Sequence, residues 1–169
     1  MADGVYAETY VKRKMDWWAV LAYVAMCLGI MIALSLIITG VYMLVGGVMI
    51  VIVGILFFIT WRFLRVDYEY IFVTDELQVD KIYSGETRKK GPRVTIGDTE
   101  RMEKTTREEM KKQKAGGAVV EDFTSREKNA EIYALRYSKN GEVHYLLLEP
   151  GEKLLATMAR ISPSKIKTD

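Results

Sequence analysis

Few side chains in this 169-residue chain have the type and spacing to do chemistry. There is one histidine, His144, and one cysteine, Cys27. A metal centre made of imidazole or thiolate needs several such ligands converging, and a nucleophile needs a base within hydrogen-bond reach. Cys27 lies deep in an apolar run, so His144 is no partner for it. Cys27 is expected to be membrane-buried filler, since acylated cysteines sit nearer the interface. His144 stands in an alternating stretch and is expected to be structural. No GxxxxGK[ST], GxGxxG or GxSxG pattern occurs, and the carboxylates are scattered among basic neighbours, as on a solvated surface. The expectation is a non-enzymatic protein with no catalytic residue, cofactor or metal.

The most localised charge is Arg88-Lys89-Lys90 followed by Arg93. In a strand Arg88 and Lys90 share one face while Lys89 points to the other. The run has two readings. One is a charged sheet edge that blocks strand addition. The other is contact of Arg88, Lys90 and Arg93 with anionic lipid headgroups or an acidic partner. Net charge is only +2, which supplies no strong field for nucleic acid, and none is expected as a partner.

The element that must position everything else lies upstream. From Trp17 to Trp61 there is no Asp, Glu, Lys, Arg or His. As one helix this stretch would reach about 67 Å at about 1.5 Å per residue, over twice the roughly 30 Å hydrocarbon core. It must fold back, and Thr39-Gly40 is the place, where a residue tolerant of non-helical geometry follows a β-branched one. The spans are then 17–38 and 41–61. Lys12, Arg13 and Lys14 precede the first span, Arg62 and Arg65 follow the second, and the turn is uncharged. Positive residues stay inside, so both termini are expected on the cytoplasmic side of a bacterial plasma membrane, with 1–16 as a cytoplasmic N-terminal segment. Trp17, Trp18 and Trp61 suit the interfacial belt. Ala25, Gly29 and Ala33 recur every four residues, and Gly40, Gly47 and Gly54 every seven. Small residues at such intervals let backbones approach, either within the hairpin or between copies. With no ionisable group inside, the spans read as an anchor.

Beyond Arg65 the period changes to two. Tyr68–Val73, Leu77–Ile82, Thr87–Lys90, then Val94 and Ile96 after Gly91-Pro92, read as an antiparallel meander. Residues 102–128 read as a polar insertion with one short helix, 107–114, announced by the capping-box spacing of Thr106 and Glu109. Strands resume with Val119-Val120, then at Ala130–Ser138 and Glu142–Glu149 around Asn140-Gly141. A last helix carries Leu154, Leu155, Met158 and Ile161 on one stripe, with 162–169 as a tail. The expected fold is a membrane helical hairpin plus an α+β domain, 67–161. That domain would be a small antiparallel β-barrel or sandwich closed by the helix, able to fold without the membrane.

Two blocks, VDYEYIFVTDELQVDKIY (66–83) directly after the spans and EPGEKLLATMARISP (149–163), resemble a family of small bacterial membrane proteins. The resemblance implies two spans and a cytoplasmic pleckstrin-homology-like domain, and carries over no catalytic residue. In lipid-binding domains of that type, basic residues cluster at the first hairpin loop. Here Asp75 and Glu76 stand at that place, which argues against phosphoinositide binding. Two functions remain: a membrane-anchored interaction module, binding a protein partner or forming a homo-oligomer, and a membrane-surface sensor that binds anionic lipid through the basic strand.

Overall fold

The computed structural model describes residues 6–40 and 42–167, without the side chains of 62–64. Val41, expected to open the second span, lies outside the described residues, as do 1–5 of the N-terminal segment, 168–169 of the tail and the side chain of Arg62. The chain divides into two compact units. One contains residues 15–66 with 83–85, and the other contains 1–14, 67–82 and 86–169.

The first unit is a helical hairpin, α1 (Trp17–Ile38) and α2 (Met43–Leu64). Trp17–Ile38 and Met43–Trp61 are each long and apolar enough to cross a membrane. The reversal falls at Thr39-Gly40. The Thr39 N–H still donates to Ser35 O at 3.1 Å, and Gly40 then turns out of the helix with φ +71°. The helices meet through small residues. Ala33 is fully buried, and a Cβ on Gly46 would stand 2.7 Å from both Ala33 O and an Ile37 side-chain carbon. A Cβ on Gly29 would just touch Val53, at 3.4 Å. Tyr23 meets Phe57 edge-on, with ring centroids 5.7 Å apart. The seven-residue series is placed differently: nothing lies within 4 Å of a Cβ on Gly40, Gly47 or Gly54. Close approach in α2 therefore uses Gly46, the neighbour of the residue that periodicity singled out. Gly46→Val is expected to destabilise the full chain by about 1–3 kcal/mol through overpacking, and Gly47→Val by almost nothing. Thermal unfolding in mild detergent measures both, and equal midpoints would contradict this packing.

The second unit holds two sheets. The first has the order β1 (Tyr6–Lys12), β2 (Val66–Val73), β3 (Glu76–Tyr83), β4 (Thr87–Lys89), with β5 (Arg93–Thr95) also on β3. The second has the order β6 (Thr99–Thr105), β8 (Ile132–Lys139), β9 (Glu142–Leu148), β7 (Val119–Asp122). Helices α3 (Arg107–Ala115) and α4 (Glu152–Ile161) complete the fold. The expected antiparallel pattern is broken once, by the parallel pair β7–β9, and the sheets stay separate rather than closing into a barrel.

Three segments carry structure that their local patterns did not announce. Residues 6–12, within the expected N-terminal segment, form β1, in antiparallel register with β2 from Tyr6↔Val73 to Lys12↔Asp67. Ala7 and Val11 point into the core while Tyr6, Glu8 and Lys12 face solvent. The helical hairpin is thus inserted in the β1–β2 connection. Residues 102–128, expected as a polar insertion, contribute to the core as well. Met102 and Phe123 are buried in the core, and Met110 of α3 joins Ile132, Ala134, Tyr145 and Leu147 on the other face of the second sheet. One apolar side chain on α3 suffices because the sheet supplies the rest of that small core. The capping box is formed: Glu109 N–H donates to Thr106 Oγ1 (3.3 Å) and Thr106 N–H to Glu109 Oε2 (3.0 Å). These bonds hold the Glu109 carboxyl below its usual range, so the cap persists above that range and is lost as pH falls through the lowered value. The tail is docked as well, since Met102 N–H donates to Lys165 O (2.8 Å) and Lys167 N–H to Met102 O (2.9 Å).

The main core is formed by Tyr68, Tyr70 and Phe72 from β2, Leu77 and Val79 from β3, Leu135, Leu146 and Leu148 from the second sheet, and Leu154 and Met158 from α4. Of the expected α4 stripe, Leu155 is only half-buried and Ile161 is exposed. Gly91-Pro92 separates β4 from β5, as Pro92 has no N–H to donate. Gly91 is needed there because a Cβ would fall 1.9 Å from Val79 O.

Candidate functional site: the β1 and β2 ends and the β7–β8 loop

The two strand ends that lead into and out of the helical hairpin are tied to the β7–β8 loop. Arg13 N–H donates to Asp67 Oδ1 (3.3 Å) and its guanidinium to the Tyr68 hydroxyl (2.8 Å). Tyr68 packs edge-on against Phe123, with centroids 5.5 Å apart. The Tyr70 hydroxyl donates to Phe123 O (2.7 Å) and accepts from Glu149 N–H (3.3 Å). Burial raises both phenols above their ordinary range, with Arg13 partly offsetting this at Tyr68. Tyr10, on β1, is pushed up to about 12 by burial and by its hydrogen bond to Asp67. All three stay neutral hydrogen-bonding groups near neutral pH.

The loop itself is built from short polar turns. Thr124 donates to Asp122 Oδ1 from its N–H (3.0 Å) and its hydroxyl (2.6 Å), an Asx-type turn. Ser125 donates to Glu149 Oε1 from N–H (2.9 Å) and hydroxyl (3.0 Å). Arg107, at the start of α3, holds Thr124 Oγ1 (3.2 Å) and Glu127 O (3.1 Å). Lys14 N–H closes the arrangement on Ser125 O (2.8 Å). The result is a hollow of about 310 Å³ lined by Lys14, Arg126, Glu127, Lys128 and Asn129. Lys14 pairs with Glu127 at 3.3 Å, both well exposed to solvent, and Arg126 with Asp122 at 3.8 Å, where the Asp122 carboxylate is half-buried. Of the three cations lining the hollow, Lys14 and Arg126 are thus each paired with a carboxylate.

The residues singled out from sequence are placed elsewhere and apart. Arg88, on β4, is bound to Glu69 at 2.6 Å. Lys90 is exposed in the break after β4. Arg93, on β5, lines a separate hollow with Asp98, Tyr137 and Lys139. β4 is the edge of its sheet, where charge blocks pairing. His144 is mostly buried, with its ring 5.2 Å from that of Tyr137, and Cys27 is exposed on α1. Among the described residues no group of three or more His, Cys, Asp or Glu could hold a metal ion. A larger groove of about 470 Å³ lies beside α3, between Met110, Arg101, Arg136 and Tyr145. Its arginines are paired, Arg101 with Glu103 (2.8 Å) and Arg136 with Glu100 (2.9 Å).

Sequence reasoning missed the Lys14–Arg126–Lys128 grouping because Lys14 is over a hundred residues from the other two. The one local signal was Phe123, a large apolar residue inside an otherwise polar stretch. Residues 3–168 match the model of a family described as a bacterial PH-like domain, DUF6106. No curated protein and no solved structure matches the chain.

Proposed function

The chain belongs to the bacterial PH-like domain family, and from that premise we propose that it is a membrane-anchored, non-enzymatic binding module on the cytoplasmic face of a bacterial plasma membrane. The observation that carries this reading is the position of the hairpin between β1 and β2. Both ends of the anchor feed directly into paired strands, β1 and β2. Domains of this type generally bind lipid or protein instead of turning over a substrate. The flanking Lys12, Arg13, Lys14, Arg62 and Arg65 favour retention of both ends in the cytoplasm.

Lipid sensing through Arg88, Lys90 and Arg93 has less support, because Arg88 is committed to Glu69. Reporter fusions at the two termini test the topology. Cytoplasmic reporters should be active at both ends and external reporters silent at both. An active external reporter at either end would contradict the proposal.

A further inference from the structure

We infer that the outer edge of β6 is a strand-addition site for an extended segment of a partner protein, held closed by the chain's own tail. The inference rests on the reading of the chain as a binding module and gives that module a partner class. β6 is an edge of the second sheet, and an edge strand offers its free N–H and C=O groups to any extended chain. Among the described residues of the tail, one bridge covers this edge. Met102 N–H donates to Lys165 O (2.8 Å) and Lys167 N–H to Met102 O (2.9 Å), which makes Ile166 the parallel partner of Met102. The Ile166 side chain is 3 % exposed, while Lys165 is half-buried and Lys167 exposed. Lys165 Nζ donates to the carbonyls of Ile96 (3.2 Å) and Gly97 (2.6 Å).

The seated tail displays the chemistry that the edge recognises. Its backbone takes both polar groups of Met102, its isoleucine fills an apolar place, and an ammonium one residue earlier meets two carbonyls. The fitting partner segment is therefore extended, with Lys or Arg directly before a β-branched aliphatic residue. The tail itself can leave without disturbing α4. It departs from that helix through a tight turn, in which Lys165 N–H (3.2 Å) and Ile166 N–H (3.1 Å) both donate to Ser162 O, and the buried residues of α4 are Leu154 and Met158, upstream of the turn. What favours the tail over a partner is its short connection, which sets an effective concentration on the order of millimolar. The intact chain thus binds such a segment weakly, and release of the tail opens the edge.

The test uses the chain in mild detergent and a fluorescein-labelled peptide, Ser-Pro-Ser-Lys-Ile-Lys-Thr-Asp, which reproduces residues 162–169. Fluorescence anisotropy should show a chain ending at Ile161 binding this peptide about tenfold or more tightly than the intact chain, because no competitor remains in cis. The same peptide with Ile166→Asp should lose about tenfold or more, the cost of the buried aliphatic side chain. If the shortened chain fails to fold, Ile166→Asp in the full chain decides, with peptide binding raised about tenfold over the wild type. Hydrogen exchange locates the event. The Met102 amide should be protected in the wild type, open in the Ile166→Asp chain, and protected again once peptide is added. Equal binding by intact and opened chains, binding indifferent to the isoleucine, or no binding to an opened chain overturns the site. Wild-type dimers with exchanged tails, seen by native mass spectrometry, would overturn the partner assignment in favour of a second copy. The reporter fusions read the topology independently. An active external reporter sinks the cytoplasmic module, whereas an unbound peptide sinks only the β6 edge.

Discussion

A chain in which residues 15–66 are removed and Lys14 is joined to Asp67 through an Asn-Gly turn is expected to fold as a soluble, mostly β domain. The fragment 67–169 is expected to be unstable and prone to aggregate. The difference is β1, whose last pair, Lys12↔Asp67, leaves a gap that a tight turn can close. Without β1 the domain loses the burial of Ala7 and Val11 and the whole β1–β2 ladder. After the entropy of ordering the strand is subtracted, the net loss is about 3–5 kcal/mol, a large share of the roughly 5–15 kcal/mol of an ordinary domain. The fragment also presents β2 as a long unpaired edge. Circular dichroism and thermal melts of the two proteins measure this. A fragment 67–169 as stable as the joined version would show that β1 contributes nothing.

Substitution in α4 should be equally decisive. Leu154 and Met158 are fully buried whereas Leu155 is only half-buried. In the joined version Leu154→Asp is expected to unfold the domain, since an unpaired carboxylate in an apolar core costs several kcal/mol. Leu155→Asp can reach water and should cost about 1–2 kcal/mol. Chemical denaturation resolves the pair, and similar midpoints for both would contradict the placement of α4.

The local structure was well signalled wherever one segment carries its own pattern. The uncharged run, Gly40 as the reversal, the strands on either side of Asn140-Gly141 and the capping box on α3 are each written within a few neighbouring residues. What escaped depends on partners distant in the chain. β1 alternates correctly, with Ala7, Thr9 and Val11 inward and Tyr6, Glu8, Tyr10 and Lys12 outward, but its apolar face is small and its partner lies beyond the hairpin. The segment 102–128 has too few apolar residues to suggest a core because the second sheet supplies most of it. In α4, helical spacing alone gave Leu154 and Leu155 equal standing, and only the direction of approach of the sheets separates them. The same distance effect explains the site. Once β1 is recognised, the first hairpin connection of the domain is the helical anchor rather than the turn at Asp75-Glu76. That connection is flanked by Lys12, Arg13, Lys14 and Arg65.

The proposed placement of the anchor depends on β1 being part of the domain, with the hairpin inserted behind it. The direct measurement is cross-linking in the full chain, in native membranes, with Cys27→Ser as background. Glu8 and Ile71 face each other across the β1–β2 pair, where directly opposed side chains stand about 5 Å apart. Glu8→Cys with Ile71→Cys should therefore be joined efficiently by a short bis-maleimide, whereas Glu8→Cys with Lys139→Cys, on a strand of the other sheet, should stay unjoined. If the first pair remains unlinked while both cysteines label freely, residues 6–12 are not paired with β2, and the account of the anchor fails with them.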